Sequence, residues 1–335
     1  MTALAFAVSL LSLQHAPPPI LRVWVDSSRH QVVLTVTPID LSAGHGAEPH
    51  ASIHAGGELP LLRFLWPVDG WARGASLRLS AEGGTALPRA ILHHINVINF
   101  GRRQLFYPTA ERLLAMGQET EDIRLPATVG VPVAVGMPMG LVAAFHNPGH
   151  ELVNSITLEL RIDFAPANQV PRPISVLPAY LDVQNPVAHD VDFDLPAGAS
   201  IWTADFTIPI SGRILGAGGH LHDYGTALEL LDVTESSPRV VLRLGTRRDR
   251  NGRLLAVGRA LPGVTGKGIR LHPSRRYRLV GEYRNSSGEA IVKGAMVHLI
   301  LLFSPDRVAQ WPPLLADSPE FRNDVIRLEG MGTAR

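Results

Sequence analysis

A chain of 335 residues is too long for one small module and suits two domains of ordinary size. With 45% hydrophobic residues, 18% charged residues and a net charge of +1, it is neither a disordered chain nor one with the basic excess of a nucleic-acid binder. The absence of cysteine excludes disulfides, zinc thiolates, iron–sulfur clusters and cysteine nucleophiles, while 31 Gly and 27 Pro favour many short strands over long helices.

The chain opens on an apolar run ending at Leu13, with the length of a signal-peptide core and too short to span a bilayer. Pro17 to Pro19 come next and break any continuing element. The run lacks a basic leading region, and its alternative is a buried first strand or helix. We read residues 1–17 as an export signal. No other run reaches transmembrane length, so the mature chain is expected to lack a transmembrane anchor and to be extracytoplasmic, periplasmic or secreted.

Alternating segments dominate the rest of the chain. Val23–Val25, Gln31–Val36, Ser76–Ser80 and Ile91–Phe100 read as strands, with a Gly/His/Ala loop from Gly44 to Gly57. Thr109 followed by Ala-Glu-Arg-Leu-Leu-Ala-Met and Gly117 predicts one short helix with an N-cap and a C-cap glycine. Strands resume at Val131–Val135, Leu141–His146 and Ser155–Phe164. The proline-rich stretch Ala165–Pro178 is the best linker. The second half repeats the logic with Ala204–Ile208, Ile214–His222, Thr226–Asp232, Val240–Leu244, Arg276–Tyr283 and Ala290–Phe303. The tail after Ser304 shows no clear period. The expected fold is all-β: two tandem antiparallel β-sandwich domains, residues 18–166 and 167–305, with a cleft between them and a tail at 306–335.

Three histidine groups lie on these strands. His93 and His94 are adjacent, so on a regular strand they point to opposite faces. One ion takes both only at an edge or a local twist; otherwise one is a buried, hydrogen-bonded histidine and the other is exposed. His220 and His222, in Gly218-Gly-His-Leu-His-Asp-Tyr-Gly225, leave the same strand face and can chelate one ion. Gly218 and Gly219 allow close backbone approach, and Asp223 or Tyr224 is placed to fix an imidazole tautomer. Met296 and His298 share a third strand face. Methionine alone is usually core filler, but a thioether beside two imidazoles favours copper. His146 closes a fourth segment before Asn147-Pro148-Gly149, and His272 reads as a surface strand-end residue.

The order His-His, His before Asn-Pro, His-x-His, then Met in an apolar strand resembles the copper type II, ascorbate-dependent monooxygenases. This is the family of dopamine β-monooxygenase and peptidylglycine α-hydroxylating monooxygenase. The resemblance spans roughly residues 20 to 305 and is densest over Arg213–Asp232 and Arg276–Phe303. It implies two jelly-roll-like sandwiches with one copper each, facing across a solvent cleft. His93 and His94 match the electron-storing site, and His220, His222 and Met296 match the oxygen-binding site. Ascorbate or another reductant, dioxygen and a small organic substrate are the implied partners, with hydroxylation of a C–H bond as the reaction. Three departures stand beside it. The family's third histidine of the first site falls on Ala144, so His146, two residues on, substitutes for it or the site is lost; one or two coppers are expected accordingly. The family's disulfides are absent. Gly218 stands where the peptide-amidating member has a substrate-binding arginine, which argues against peptidylglycine as substrate.

A non-catalytic copper-binding protein for storage, transfer or sensing is the alternative, and a recognition sandwich with structural histidines ranks last. The chain lacks a dinucleotide fingerprint, a Walker-type loop, His-Glu-x-x-His and a nucleophile elbow.

Overall fold

The computed structural model describes residues 17–42, 57–147, 151–187 and 191–331. The expected export signal and most of the Gly44–Gly57 loop lie outside them, as do His150 and His189. The first half contributes β1 (Ile20–Asp26), β2 (Gln31–Leu41), β3 (Gly57–Glu58), β4 (Leu62–Leu65), β5 (Gly70–Ser80) and β6 (Leu92–Arg103). Then come β7 (Ala110–Gly117), β8 (Ile123–Arg124), β9 (Val129–Val133), β10 (Pro138–Phe145), β11 (Val153–Pro166) and β12 (Ile174–Ser175). One sheet runs β1-β2-β11-β5-β9-β12, with β8 on β5; the other runs β3-β10-β6-β7, with β4 on β10. Leu34, Val36, Leu158 and Leu160 of the first sheet pack with Ile95, Val97 and Leu141 of the second in one core. Burial of these apolar faces is the main stabilising term of the sandwich.

The second half builds β13 (Leu177–Asp182), β14 (Phe193–Leu195), β15 (Gly198–Thr207), β16 (Gly212–Leu221), β17 (Gly225–Asp232) and β18 (Arg239–Arg248). It continues with β19 (Leu254–Val257), the short helix α1 (Pro262–Thr265), β20 (Ile269–Leu271), β21 (Arg276–Asn285), β22 (Ile291–Ala295) and β23 (Val297–Pro305). Sheet β13-β23-β16-β20 faces sheet β15-β21-β17-β18-β19 across Leu228, Leu230, Leu279, Leu299 and Leu301. β14 and β22 form a separate ribbon. The all-β expectation of two antiparallel sandwiches in tandem is what the chain adopts. The proline-rich connection is shorter than expected, because β11 runs to Pro166 and β12 pairs with β9.

Two local expectations are corrected. Residues 110–117 form β7, not a helix. Each residue of Ala-Glu-Arg-Leu-Leu-Ala-Met favours helix, but β6 offers an antiparallel ladder, from Ile95 opposite Met116 to Asn99 opposite Glu111, with one register shift between Val97 and Ile98. Tertiary pairing overrides a weak local propensity. The tail is also ordered. Trp311 packs on the second core and donates from Nε1 to the Arg103 carbonyl at 2.9 Å. Helix α2 (Pro319–Gly330) then begins at Ser318, whose side chain accepts from the Phe321 N–H, with proline in its first turn. Phe321 and Leu328 close a small cluster with Ile98, Phe100 and Val142 on the outer face of the β10-β6-β7 sheet. No helix among the described residues is long and apolar enough to cross a membrane.

Candidate metal centre

The two sandwiches meet with β13 against β7 and β9. On β23 burial alternates strictly, so Val297, Leu299 and Leu301 enter the second core while His298, Ile300 and Leu302 face the seam. His220 on β16 lies opposite His298 in the ladder, which brings it to that same face. His222 comes two residues later, just past the strand end, and its ring lies 5.2 Å from that of His220.

Gly219 explains how this segment fits. A Cβ there would overlap Leu228 and come within 2.9 Å of the His298 carbonyl oxygen. At Gly218 a Cβ would meet nothing within 4 Å. Of the two glycines before the His-x-His pair, only Gly219 is required by close approach.

From the first half, β6 brings His93 and His94. Its pairing with β10 shifts there: Ala144 opposes His94, but the next residue, Phe145, opposes Leu92. This bulge leaves His93 as an extra residue. It removes the opposite-face geometry of a regular strand, and the two Nδ1 atoms come within 3.0 Å, sharing a hydrogen bond. His93 is buried, and its ring centroid lies 5.7 Å from His222 and 6.3 Å from His220.

His93, His220 and His222 each offer one ring nitrogen, and the three nitrogens lie within 4.8 Å of one another. Imidazole nitrogens bound at about 2.0–2.1 Å to one ion sit roughly 3–4 Å apart, so rotamer adjustments suffice for a shared ion. Neutral imidazoles suit zinc, copper, iron and nickel. Among the described residues this is the one such group of histidine and acidic side chains.

The structure therefore regroups the expected ligands. The resemblance assigns His93 and His94 to one site and His220 and His222 to another, facing across a cleft. Here His93 joins the His-x-His pair in one cluster built from both sandwiches. Met296 lies between β22 and β23, so the expected single strand Ala290–Phe303 is broken at this residue. Its N–H donates to Tyr283 Oη at 3.2 Å, its carbonyl accepts from the same hydroxyl, and it lines the chamber of the cluster. His146 comes just after β10, with its backbone N–H on the Ile91 carbonyl at 2.8 Å. It is not in the three-nitrogen group; burial and nearby Arg253 hold its imidazole below the ordinary value, against Asp223.

The acids that position the cluster are ones the sequence did not single out. Glu119, buried in the turn after β7, accepts from or shares a proton with His220 Nδ1 at 2.7 Å. A Cβ at Gly117 would overlap this carboxylate, so a glycine makes room for it. Burial works against charge on His220, but Glu119 works for it, and the balance raises the imidazole above its ordinary value. Asp192 lies 3.9 Å from His222 Nε2. Asp182 holds His298 Nδ1 at 2.7 Å, and Tyr180 stacks on the His298 ring at 5.0 Å. Burial pushes the Tyr180 phenol up to about 12. Asp223, expected to orient an imidazole, instead accepts from the Leu254 N–H at 2.7 Å.

The cluster opens into a chamber of about 510 Å³. Its floor carries His93, His94, His220 and Met296, and Leu328 and Met331 of the C-terminal segment close another side. Asp324 of α2 fastens that segment. It accepts the Ala110 N–H at 3.0 Å and two Arg112 bonds at 2.9 and 2.6 Å.

No protein-family model matches the sequence, and no curated protein matches it. Among solved structures, two crystal forms of PNGF-II are similar, at 10% identity and TM-scores of 0.39 and 0.40. Each similarity covers 82% of this chain but only 65% and 66% of those chains, so this chain spans less than two thirds of their length. PNGase F, a glycosylasparaginase from Flavobacterium meningosepticum, is similar at 8% identity and a TM-score of 0.36, over 81% of this chain and 96% of that one.

Proposed function

We propose that this chain is a copper-dependent monooxygenase that hydroxylates a C–H bond of a small organic substrate with dioxygen and a reductant such as ascorbate. The observation that carries the reading is the set of three imidazole nitrogens within 4.8 Å, from both sandwiches, at the edge of a chamber large enough for a small molecule. In this reading His93, His220 and His222 hold the ion, and Met296, which lines the same chamber, would be the soft donor. A bound copper would supply one-electron redox chemistry and oxygen activation. Glu119 holds the His220 tautomer, the usual task of a carboxylate behind a metal-binding imidazole. His94 and His146 are the residues that remain for a second, electron-storing copper.

A second reading has its own observation. The tight group consists of imidazoles alone, and three histidines with an open position also suit zinc and the activation of water. Non-catalytic copper binding is the third outcome.

The experiment loads the metal-free chain anaerobically with Cu(I), and separately with Zn(II), and counts metal after desalting. It then tracks ascorbate-dependent oxygen consumption. Retained copper with reductant-dependent oxygen uptake supports the oxygenase. Retained copper without uptake moves the binding-protein reading ahead, and retention of zinc alone supports a hydrolytic centre. Retention of neither ion sinks all three.

A further inference from the structure

Beside the histidine chamber lies a second cavity of about 220 Å³, between the two sandwiches. The wall common to the two spaces includes Ala115, Glu119, Tyr180, His298, Ile300 and Arg112, whose charge is met by Asp324. The body of the second cavity is apolar, lined by Leu113, Ile123, Val131, Ile162, Val257 and Leu302.

Its far end is basic. Arg73 and Arg124 line this cavity and also a surface groove that contains Arg29. The Arg73 Nε is buried and donates to nothing. Neither Arg73 nor Arg124 forms an ion pair among the described residues. Arg259, on the same wall, donates only to the carbonyls of Asp122 and Glu121, at 3.1 and 2.7 Å. The acids nearby are engaged: Glu119 with His220 at 2.7 Å, and Asp163 with Gln31 Nε2 at 2.8 Å.

A buried guanidinium donor without an acceptor is costly, and it persists where a ligand supplies the acceptor. An occupant with an apolar body and a single anionic head satisfies both walls. The head meets the arginine forks, which favour carboxylate geometry, and the body displaces water from the aliphatic lining.

We propose that this cavity binds a medium-chain carboxylate, with its head at Arg73 and Arg124 and its tail end toward His298 and the histidine cluster. Its role as a substrate site rests on the metal-centre reading above; the binding of the anion does not.

The test therefore starts with the metal-free full-length chain, titrated calorimetrically with octanoate and with octan-1-ol. Octanoate should saturate one site and bind more tightly than the alcohol. The R73Q/R124Q variant should weaken octanoate by about tenfold or more, the loss expected for charge-assisted hydrogen bonds, and leave the alcohol unchanged. Leu302→Trp, which fills the cavity, should abolish binding of both. No octanoate binding, equal affinity for acid and alcohol, or unchanged octanoate affinity in R73Q/R124Q overturns the proposal.

Orientation is then read with Cu(II)-loaded protein. Paramagnetic broadening should be stronger at the octanoate methyl than at the carbon beside its carboxylate. The reverse order overturns the orientation. Failure to load Cu(II) removes the copper reading and overturns the placing of the tail beside a copper centre, while the calorimetric result stands.

Discussion

Asp324→Ala tests how the C-terminal helix is fastened over the histidine chamber. The Asp324 side chain is 7% exposed and its partner Arg112 is 18% exposed. The substitution removes the acceptor of the Ala110 N–H and both bonds from the guanidinium. It leaves a positive charge in a largely dry place without its carboxylate. Removing one partner of a buried pair typically costs about 3–5 kcal/mol. A ceiling applies, because the helix can release instead. Its main anchors are Phe321 and Leu328, each contributing roughly 1.5–3 kcal/mol by burial. The expected result is a fall in urea-unfolding free energy of about 3–5 kcal/mol, or a smaller fall accompanied by faster proteolysis after Ser304. A loss below about 1 kcal/mol with unchanged proteolysis would equate this pair with an exposed one and refute the argument.

Three further outcomes are expected. Gly219→Ala should destabilise by about 1–3 kcal/mol through overlap with Leu228 and the His298 backbone, whereas Gly218→Ala should be near neutral; thermal melts of the pair decide it. Glu119→Gln should lower the His220 titration midpoint in metal-free protein, read by NMR, since burial then acts without the opposing carboxylate. The His220 imidazole is raised in the folded state, so its stabilisation is fully present below the unfolded value near 6.5 and fades as pH rises through the folded one; the variant should lose that low-pH advantage. His93→Ala and His222→Ala should each reduce retained metal as strongly as the other, although they lie in different sandwiches; retention by one variant alone would break the three-nitrogen assignment.

The strands were legible in the sequence as short aliphatic runs between turn residues. Val297 to Pro305 alternates in burial for nine residues, yet Leu299 to Phe303 is apolar throughout, so residue order marks the strand and its neighbours decide the buried face. β7 was not legible, since Ala110–Gly117 is composed of helix formers and only β6 decides otherwise. Helix α2 was missed because its polar residues outnumber its anchors, and Asp324 is buried against a strand more than 200 positions away. At the site, the same-face spacing of His220 and His222 agrees with rings 5.2 Å apart, although His222 stands just past the strand end. The bulge that reorients His93 arises from the offset between two strands, which no local pattern encodes. Glu119, Asp182 and Asp192 had no spacing signal, because each reaches its histidine across the tertiary structure.

The histidine cluster has a mechanical consequence. A ligand set divided between β6 and β16 exists only while the two sandwiches are docked. An ion bound there would be released by separation of the halves even if each stayed folded. It would act as a reversible crosslink whose strength scales with free metal, adding RT ln(1 + [metal]/Kd) to the docked state alone. Metal-free protein should then unfold in two transitions that merge into one as the ion is added, so that calorimetric cooperativity becomes a reporter of occupancy.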